Sequence, residues 1–148
     1  MATERRDISI SEHIPHRGRM HLVDTITWVG TDPIRGEVKT TLRSDGPYFR
    51  DSGFKHHWLI ELCAQASAAL FQVARTSTDG NSSKASNGYL ISVRDFEWIE
   101  TVSLNPGDEL LIQVVFESLE APLGQSRSEV TCGGIRLAHG LLSFLMDG

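Results

Sequence analysis

The strongest pattern in the chain runs from His56 to Arg75, HHWLIELCAQASAALFQVAR. Leu59, Leu62, Ala66, Ala69, Leu70 and Val73 recur there at i+3 and i+4, the helical period. The opposite face is also apolar or small, with Ile60, Cys63, Ala64, Ser67, Ala68 and Phe71. A helix that is apolar nearly all round is buried on most sides. Ahead of it, Met20–Val29 concentrates branched and aromatic residues and predicts a strand. Arg35–Leu42 is a second strand candidate, although Val38 and Leu42 are its only strongly apolar positions. Thr31-Asp32-Pro33 and Ser44-Asp45-Gly46-Pro47 are turn signals. Residues 1–13 are polar and predict a loose arm.

Beyond the helix, Thr76–Asn87 is rich in Ser, Asn, Asp and Gly and predicts an exposed loop. Strands are predicted at Gly88–Trp98, Glu109–Leu119, Ser126–Cys132 and Ile135–Met146. Pro106-Gly107-Asp108 turns the chain into the second of these. Gly133-Gly134 is a two-residue hairpin signal, and no helix follows it that would make it a phosphate loop. Strands and helix segregate along the chain, which predicts an α+β class. One long apolar helix needs a concave sheet around it. A curved antiparallel sheet wrapped about a central helix, the hot-dog arrangement, is one of several α+β solutions the pattern allows.

The length, 148 residues, suits a single domain over residues 1–148. Fourteen Lys and Arg against 19 Asp and Glu give a net charge of −5, which argues against a nucleic-acid binder. Two cysteines, Cys63 and Cys132, are too few for a disulfide framework. No Cys/His spacing suits zinc, and no cofactor motif is present, so no metal and no cofactor are expected. The N-terminal stretch lacks the apolar core of a signal peptide. No segment approaches the ~20 apolar residues that span a bilayer. A reducing, cytoplasmic setting is expected.

Glu61 is the residue with chemical promise. It lies mid-helix between Leu59, Ile60, Leu62 and Cys63. Desolvation of a carboxyl group raises its pKa and makes it a candidate general acid or base. Gln65 is four residues on, on the same face, and could hold it by a hydrogen bond; His57 is four residues back. The plainer reading places Glu61 on a solvated stripe with Gln65 and Gln72, and the pattern leaves both open. Cys63 reads as packing, because a free buried cysteine behaves as a small hydrophobe.

Three motifs carry a resemblance. IPHRGRMHLVDTI (residues 14–26) is similar to the N-terminal segment of the FabZ-type 3-hydroxyacyl-(acyl-carrier-protein) dehydratases. GPYFRDSGFKHHWLIELCAQASAAL resembles the same family's stretch ending in Glu-x-x-Ala-Gln-Ala, here Glu61, Ala64, Gln65 and Ala66. Asn105-Pro106-Gly107-Asp108 resembles its Val-Pro-Gly-Asp turn. The sequence departs from that family where a Gly-His-Phe-Pro histidine should precede the helix: Phe49-Arg50-Asp51-Ser52-Gly53-Phe54 has none. In this it resembles the ApeP-like dehydratases of aryl polyene and related pigment pathways. Pro15-His16, Phe49/Asp51/Gly53, Trp58 and Glu61/Ala64/Gln65 match that branch.

The resemblance implies a hot-dog fold and a dehydratase acting on 3-hydroxyacyl thioesters carried by acyl carrier protein or coenzyme A. It implies a homodimer, or a heterodimer with a related hot-dog chain. Such chemistry needs one group to take the α-proton and another to protonate the departing hydroxyl. Backbone N–H groups at the helix start, around His56 to Trp58, would hold the thioester oxygen. Glu61 would be the acid. By resemblance His16 is the candidate base, with His57 as the alternative. His57, Trp58 and Gln65 are the expected substrate-contacting residues. His16 could equally do no more than fix a turn. A hot-dog thioesterase, and an inactive subunit supporting an active dehydratase, are the competing readings.

Overall fold

The computed structural model describes the backbone of residues 4–10, 21–49, 53–79, 88–99, 103–120 and 122–146. One antiparallel sheet and one long helix account for nearly all of it. The strands are β1 (Glu4–Ser9), β2 (Thr25–Gly30), β3 (Arg35–Thr41), β4 (Gly88–Trp98), β5 (Glu109–Glu120), β6 (Leu123–Cys132) and β7 (Ile135–Met146). Helix α1 is Trp58–Asp79. The seven strands run in the spatial order β1-β2-β3-β5-β6-β7-β4. The chain therefore leaves the sheet after β3, forms α1, returns as the far edge strand β4, and only then fills the middle. Helix α1 packs on β2, β3, β5 and β6. This is the hot-dog fold.

Period-two burial explains the central strands. Leu110, Ile112, Val114 and Phe116 of β5 are buried, while the alternate residues Gln113, Val115 and Glu117 are exposed. The inward residues meet a helix face led by Leu59, Leu62, Ala66, Leu70 and Val73, all fully buried. Leu70 of the helix lies tight on Gly36 of β3. A Cβ at Gly36 would lie 2.6 Å from Leu70 Cδ2 and 2.5 Å from the Trp28 carbonyl oxygen. Glycine at this position lets α1 settle against the sheet.

The turns follow their residues. Gly133 and Gly134 have φ of 57° and 82°, and Cys132 pairs with Ile135 across them. Two positive φ values in a two-residue loop define the type I′ hairpin that matches strand twist. Pro106 precedes Gly107, whose φ is 94°, and the Gly107 and Asp108 backbone groups bond Leu42.

The boundaries differ most from the sequence expectation at three places. The expected loose arm at 1–13 contains β1, which pairs with β2 from Glu4↔Gly30 to Ser9↔Thr25. Its polar composition hid it, because pairing comes from the backbone groups that β2 would otherwise leave open at the sheet edge. Ile10, just after it, is fully buried. The first predicted strand begins late, at Thr25, although the Asp24 N–H already donates to the Lys39 carbonyl at 3.3 Å. The helix continues past Arg75 to Asp79, into the stretch expected to be a loop. The remainder of that expected loop, from 80 to 87, lies outside the described residues.

Candidate active site

The segment before α1 is held by aromatic packing. Tyr48 is fully buried, and its ring meets Phe49 and Phe54 at centroid distances of 5.1 and 5.3 Å. Its hydroxyl accepts the Arg43 N–H at 2.9 Å, and its carbonyl accepts the Lys55 N–H at 2.9 Å. His56 stands edge-on to Phe54. These contacts fix where the helix starts.

The first helical turn is tight. Trp58, Leu59 and Ile60 donate to the carbonyls of Lys55, His56 and His57, three residues back. Such i→i−3 bonds use N–H groups that a helix start usually leaves open. The expectation that N–H groups around His56 to Trp58 are open is therefore narrowed. The Trp58 N–H is engaged, and among the described residues those of His56 and His57 meet no acceptor. Two consecutive amides at the positive end of α1 are the donors such a site can offer.

Glu61 follows in that first turn and is half-buried. From Leu59 to Ala74 the residues that keep partial exposure are Ile60, Glu61, Ala64, Ala68 and Phe71. They make one narrow strip along α1, and Glu61 is its one polar member. The solvated-stripe reading does not survive, because Gln65 and Gln72 are only 1% and 5% exposed. A carboxyl group on an otherwise apolar, half-open strip can exchange a proton beside an apolar ligand.

Gln65 turns away from that strip. Its Oε1 accepts the Leu22 N–H at 2.9 Å, and its Nε2 donates to Glu61 Oε1 at 3.3 Å. Thr40 Oγ1 in turn donates to the Leu22 carbonyl at 2.6 Å. Arg43 Nη2 donates to the His21 carbonyl at 3.0 Å. The chain just after the Pro15-His16-Arg17 motif is thus fastened to the helix that carries Glu61. His16 itself, like Arg50, Asp51 and Ser52, lies outside the described residues. His57 is exposed, its ring tilted against the half-buried Trp58 at 5.6 Å. The structure therefore brings Glu61, Gln65, His57 and Trp58 onto one end of α1. Sequence reading missed Leu22 and Thr40, since a backbone amide and a strand-end hydroxyl leave no motif.

Cys63 is not a nucleophile here. It is completely buried, and desolvation pushes its thiol up to about 12, against a smaller opposite effect from Ser128 beside it. The thiolate needed for attack is scarcely formed near neutrality. One turn on, Ser67 shares a hydrogen bond of 2.9 Å with Ser126 of β6. The described residues hold no group of His, Cys, Asp and Glu able to bind a metal ion, and no helix among them is long and apolar enough to cross a membrane.

Comparison with known proteins decides the family. The family model described as ApeP-like, ApeP dehydratase, matches residues 8–146. The chain belongs to the ApeP-like dehydratases. No curated protein sequence matches it. Among solved structures, a chain of the dehydratase heterocomplex ApeI:P from Xenorhabdus doucetiae superposes with a TM-score of 0.82 at 21% identity, covering 97% of this chain and 93% of that one. A hypothetical thioesterase with coenzyme A from Streptococcus pneumoniae TIGR4 gives 0.58 at 14% identity, over 77% and 79% of the two chains. The smu.793 protein from Streptococcus mutans UA159 bound to acetyl CoA gives 0.54 at 15%, over 77% and 82%. At these identities the structural matches establish the hot-dog fold. The match to the ApeP-like family over nearly the whole chain makes it a dehydratase of that fold.

Proposed function

We propose that this ApeP-like protein dehydrates 3-hydroxyacyl thioesters, carried by acyl carrier protein or coenzyme A, to 2-enoyl thioesters. The observation that carries the reading is Glu61 alone among apolar neighbours on the half-open strip, one turn from the two open amides of His56 and His57. The thioester oxygen sits against those amides. A base removes the α-proton, and negative charge develops on that oxygen, where the amides and the helix end stabilise it. The electron pair returns to form the C2–C3 double bond as the C3–O bond breaks. Glu61 gives its proton to the departing oxygen, which leaves as water. His16 is the base, with His57 as the alternative, and Trp58 borders the acyl chain.

The partner follows from the sheet. Strand β4 is an edge strand, and it carries Phe96 and Trp98, whose rings pack at 4.6 Å. Trp98 and the following Ile99 are 43% and 41% exposed. Apolar exposure beside open ladder groups supports pairing with a second hot-dog chain, a copy of itself or a relative. The likeness to a chain of a dehydratase heterocomplex, together with the absence of a Gly-His-Phe-Pro histidine, supports a second reading. In it this chain sustains an active partner and is inactive alone. Cys63 and Cys132 are both free thiols, which supports a reducing, cytoplasmic setting.

The deciding experiment incubates the protein with a 3-hydroxyacyl carrier protein, wild type beside Glu61→Gln, alone and with a related hot-dog chain. Formation of the ultraviolet-absorbing enoyl thioester by wild type only is the expected result. Free thiol instead of enoyl product would make it a thioesterase. Turnover only in the mixture, unaffected by Glu61→Gln, would make it the supporting subunit.

A further inference from the structure

The start of α1 is tied to the sheet through one side chain, that of Tyr48, which no step of the dehydration uses directly. Tyr48 is fully buried in the short 3₁₀ helix Pro47–Phe49. Its hydroxyl accepts the Arg43 N–H at 2.9 Å. Arg43 follows Leu42, and the turn before β5 holds both backbone groups of Leu42. The Leu42 N–H donates to the Asp108 carbonyl at 2.8 Å, and its carbonyl accepts the Gly107 N–H at 2.7 Å. On its other side Tyr48 grips the approach to the helix. Its carbonyl accepts the Lys55 N–H at 2.9 Å, and its ring packs on Phe54 at 5.3 Å. The Lys55 carbonyl in turn accepts the Trp58 N–H at 3.0 Å. Lys55 is therefore held on both its backbone groups, and the two N–H groups that follow it belong to His56 and His57.

The Tyr48 ring has little freedom in its seat. A Cβ at Gly46 would run into its Cζ and Cε2 atoms and lie 2.8 Å from its hydroxyl oxygen, so glycine alone leaves room for it there. A buried phenol usually finds a hydrogen-bond partner, and this one finds it in the backbone just past β3. At the far end of the linkage, polar groups are left unmet. The His56 and His57 amides have no acceptor among the described residues. The His56 ring stands edge-on to Phe54, and its Nε2 is buried without a hydrogen-bond partner. Buried polar groups are normally satisfied, so unmet ones gathered in one place mark a point where a polar ligand atom is met.

We infer that Tyr48 is a positioning residue for the start of α1: acting through Lys55, it sets the His56 and His57 amides relative to the end of β3. The inference rests on the proposed dehydration and deepens it, by naming what holds the thioester-binding amides in place. Helix propensity alone does not orient these two groups, because they precede the first residue of α1, Trp58. Donors organised in advance toward a developing charge need no rearrangement as the reaction proceeds. Small misplacements of such donors slow the chemical step more than they weaken substrate binding.

The test uses the full-length chain and 3-hydroxyacyl carrier protein, with a related hot-dog chain added where turnover requires it. Tyr48→Phe keeps the ring and removes one oxygen. Its kcat per folded molecule is expected to fall about 3- to 30-fold, with KM within about threefold of wild type. Hydrogen exchange at the Lys55 amide should become about tenfold faster or more. Gly46→Ala, which displaces the ring without removing any of its atoms, should do the same. The two changes together should cost less than about threefold beyond the worse single change, because both break one linkage. Gly46→Ala decides if Tyr48→Phe does not fold. A lower melting temperature with undiminished kcat, a loss confined to KM, unchanged exchange at Lys55, or additive losses in the double variant would overturn the inference and leave the dehydratase reading intact. Wild-type protein that forms no enoyl product in either setting would overturn both.

Discussion

Gln65 Nε2 lies 3.3 Å from Glu61 Oε1, and the two side chains could hardly be treated more differently by the fold. One is buried against Leu22; the other opens onto an apolar strip. Glu61→Gln keeps the shape and the hydrogen-bonding capacity of the carboxyl group but cannot exchange the proton. Turnover of a 3-hydroxyacyl thioester should fall ~10²–10⁴-fold, the usual contribution of a general acid or base. Circular dichroism and the melting temperature should stay close to wild type. A variant with most of its activity would remove Glu61 from the mechanism.

His16 is to be tested by pairing two substitutions. If it is the base, both His16→Ala and His16→Asn should lose turnover while remaining folded, since asparagine keeps one hydrogen bond but no basic nitrogen near pH 7. If His16 only fixes a turn, His16→Asn keeps its rate. In that case His57→Ala becomes the variant that must lose activity for the histidine assignment to stand.

Cys63 should be invisible to thiol reagents in the native protein. At pH 8, Ellman's reagent should titrate Cys63 only after unfolding. Its thiol holds a proton up to about 12 in the folded state, against an ordinary value of 9.0. The folded state thus binds this proton more tightly than the unfolded one, so the stabilising contribution is complete below about pH 9 and is lost as pH rises toward 12. The melting temperature should fall over that window, and fall less steeply in Cys63→Ala. Fast native labelling of Cys63 at pH 8 would contradict its burial.

Gly36 should tolerate no side chain. A methyl group there meets both the Trp28 carbonyl and Leu70 Cδ2 at distances real Cβ atoms do not show. Leu70 can move, but the Trp28 carbonyl belongs to the neighbouring strand and cannot. Gly36→Ala should destabilise the protein by about 1–3 kcal/mol, read from denaturant midpoints. A neutral result would mean that α1 rides higher over β3 than the structure has it.

Association through the β4 edge predicts a mass above that of the 16.4 kDa chain. Light scattering at micromolar concentration should give a dimer, or a mixed dimer when a related hot-dog chain is present. Trp98→Lys, which places a charge at an exposed apolar position of β4, should weaken it. A stable monomer in both settings would leave the exposed Trp98 and Ile99 without the partner proposed for them.

Much of this protein is written locally. The all-round apolar pattern from Leu59 to Val73 required a buried helix, and the apolar run from Leu110 to Phe116 predicted a strand without saying which of its residues face inward. Gly133-Gly134 required a hairpin, because few other residues accept two positive φ values. Glu61 and Gln65 stood out as an i, i+4 pair on sequence alone, and the motif around them pointed to the ApeP-like dehydratases that the family match establishes. What the pattern left open was which polar residues of the helix meet water. One of the two open readings set Gln65 and Gln72 beside Glu61 on a wet stripe, yet both are buried. A buried amide is acceptable only where a partner meets it, and the partner of Gln65 is the backbone of a residue 43 positions away. Likewise β1 has no pattern of its own and exists because β2 offers an unpaired edge. Which helix-start amides stay open was settled by the tight first turn, in which Trp58 bonds Lys55. Periodicity reports the average environment of a face; the partner that satisfies one buried polar group is a matter of where distant parts of the chain come to lie.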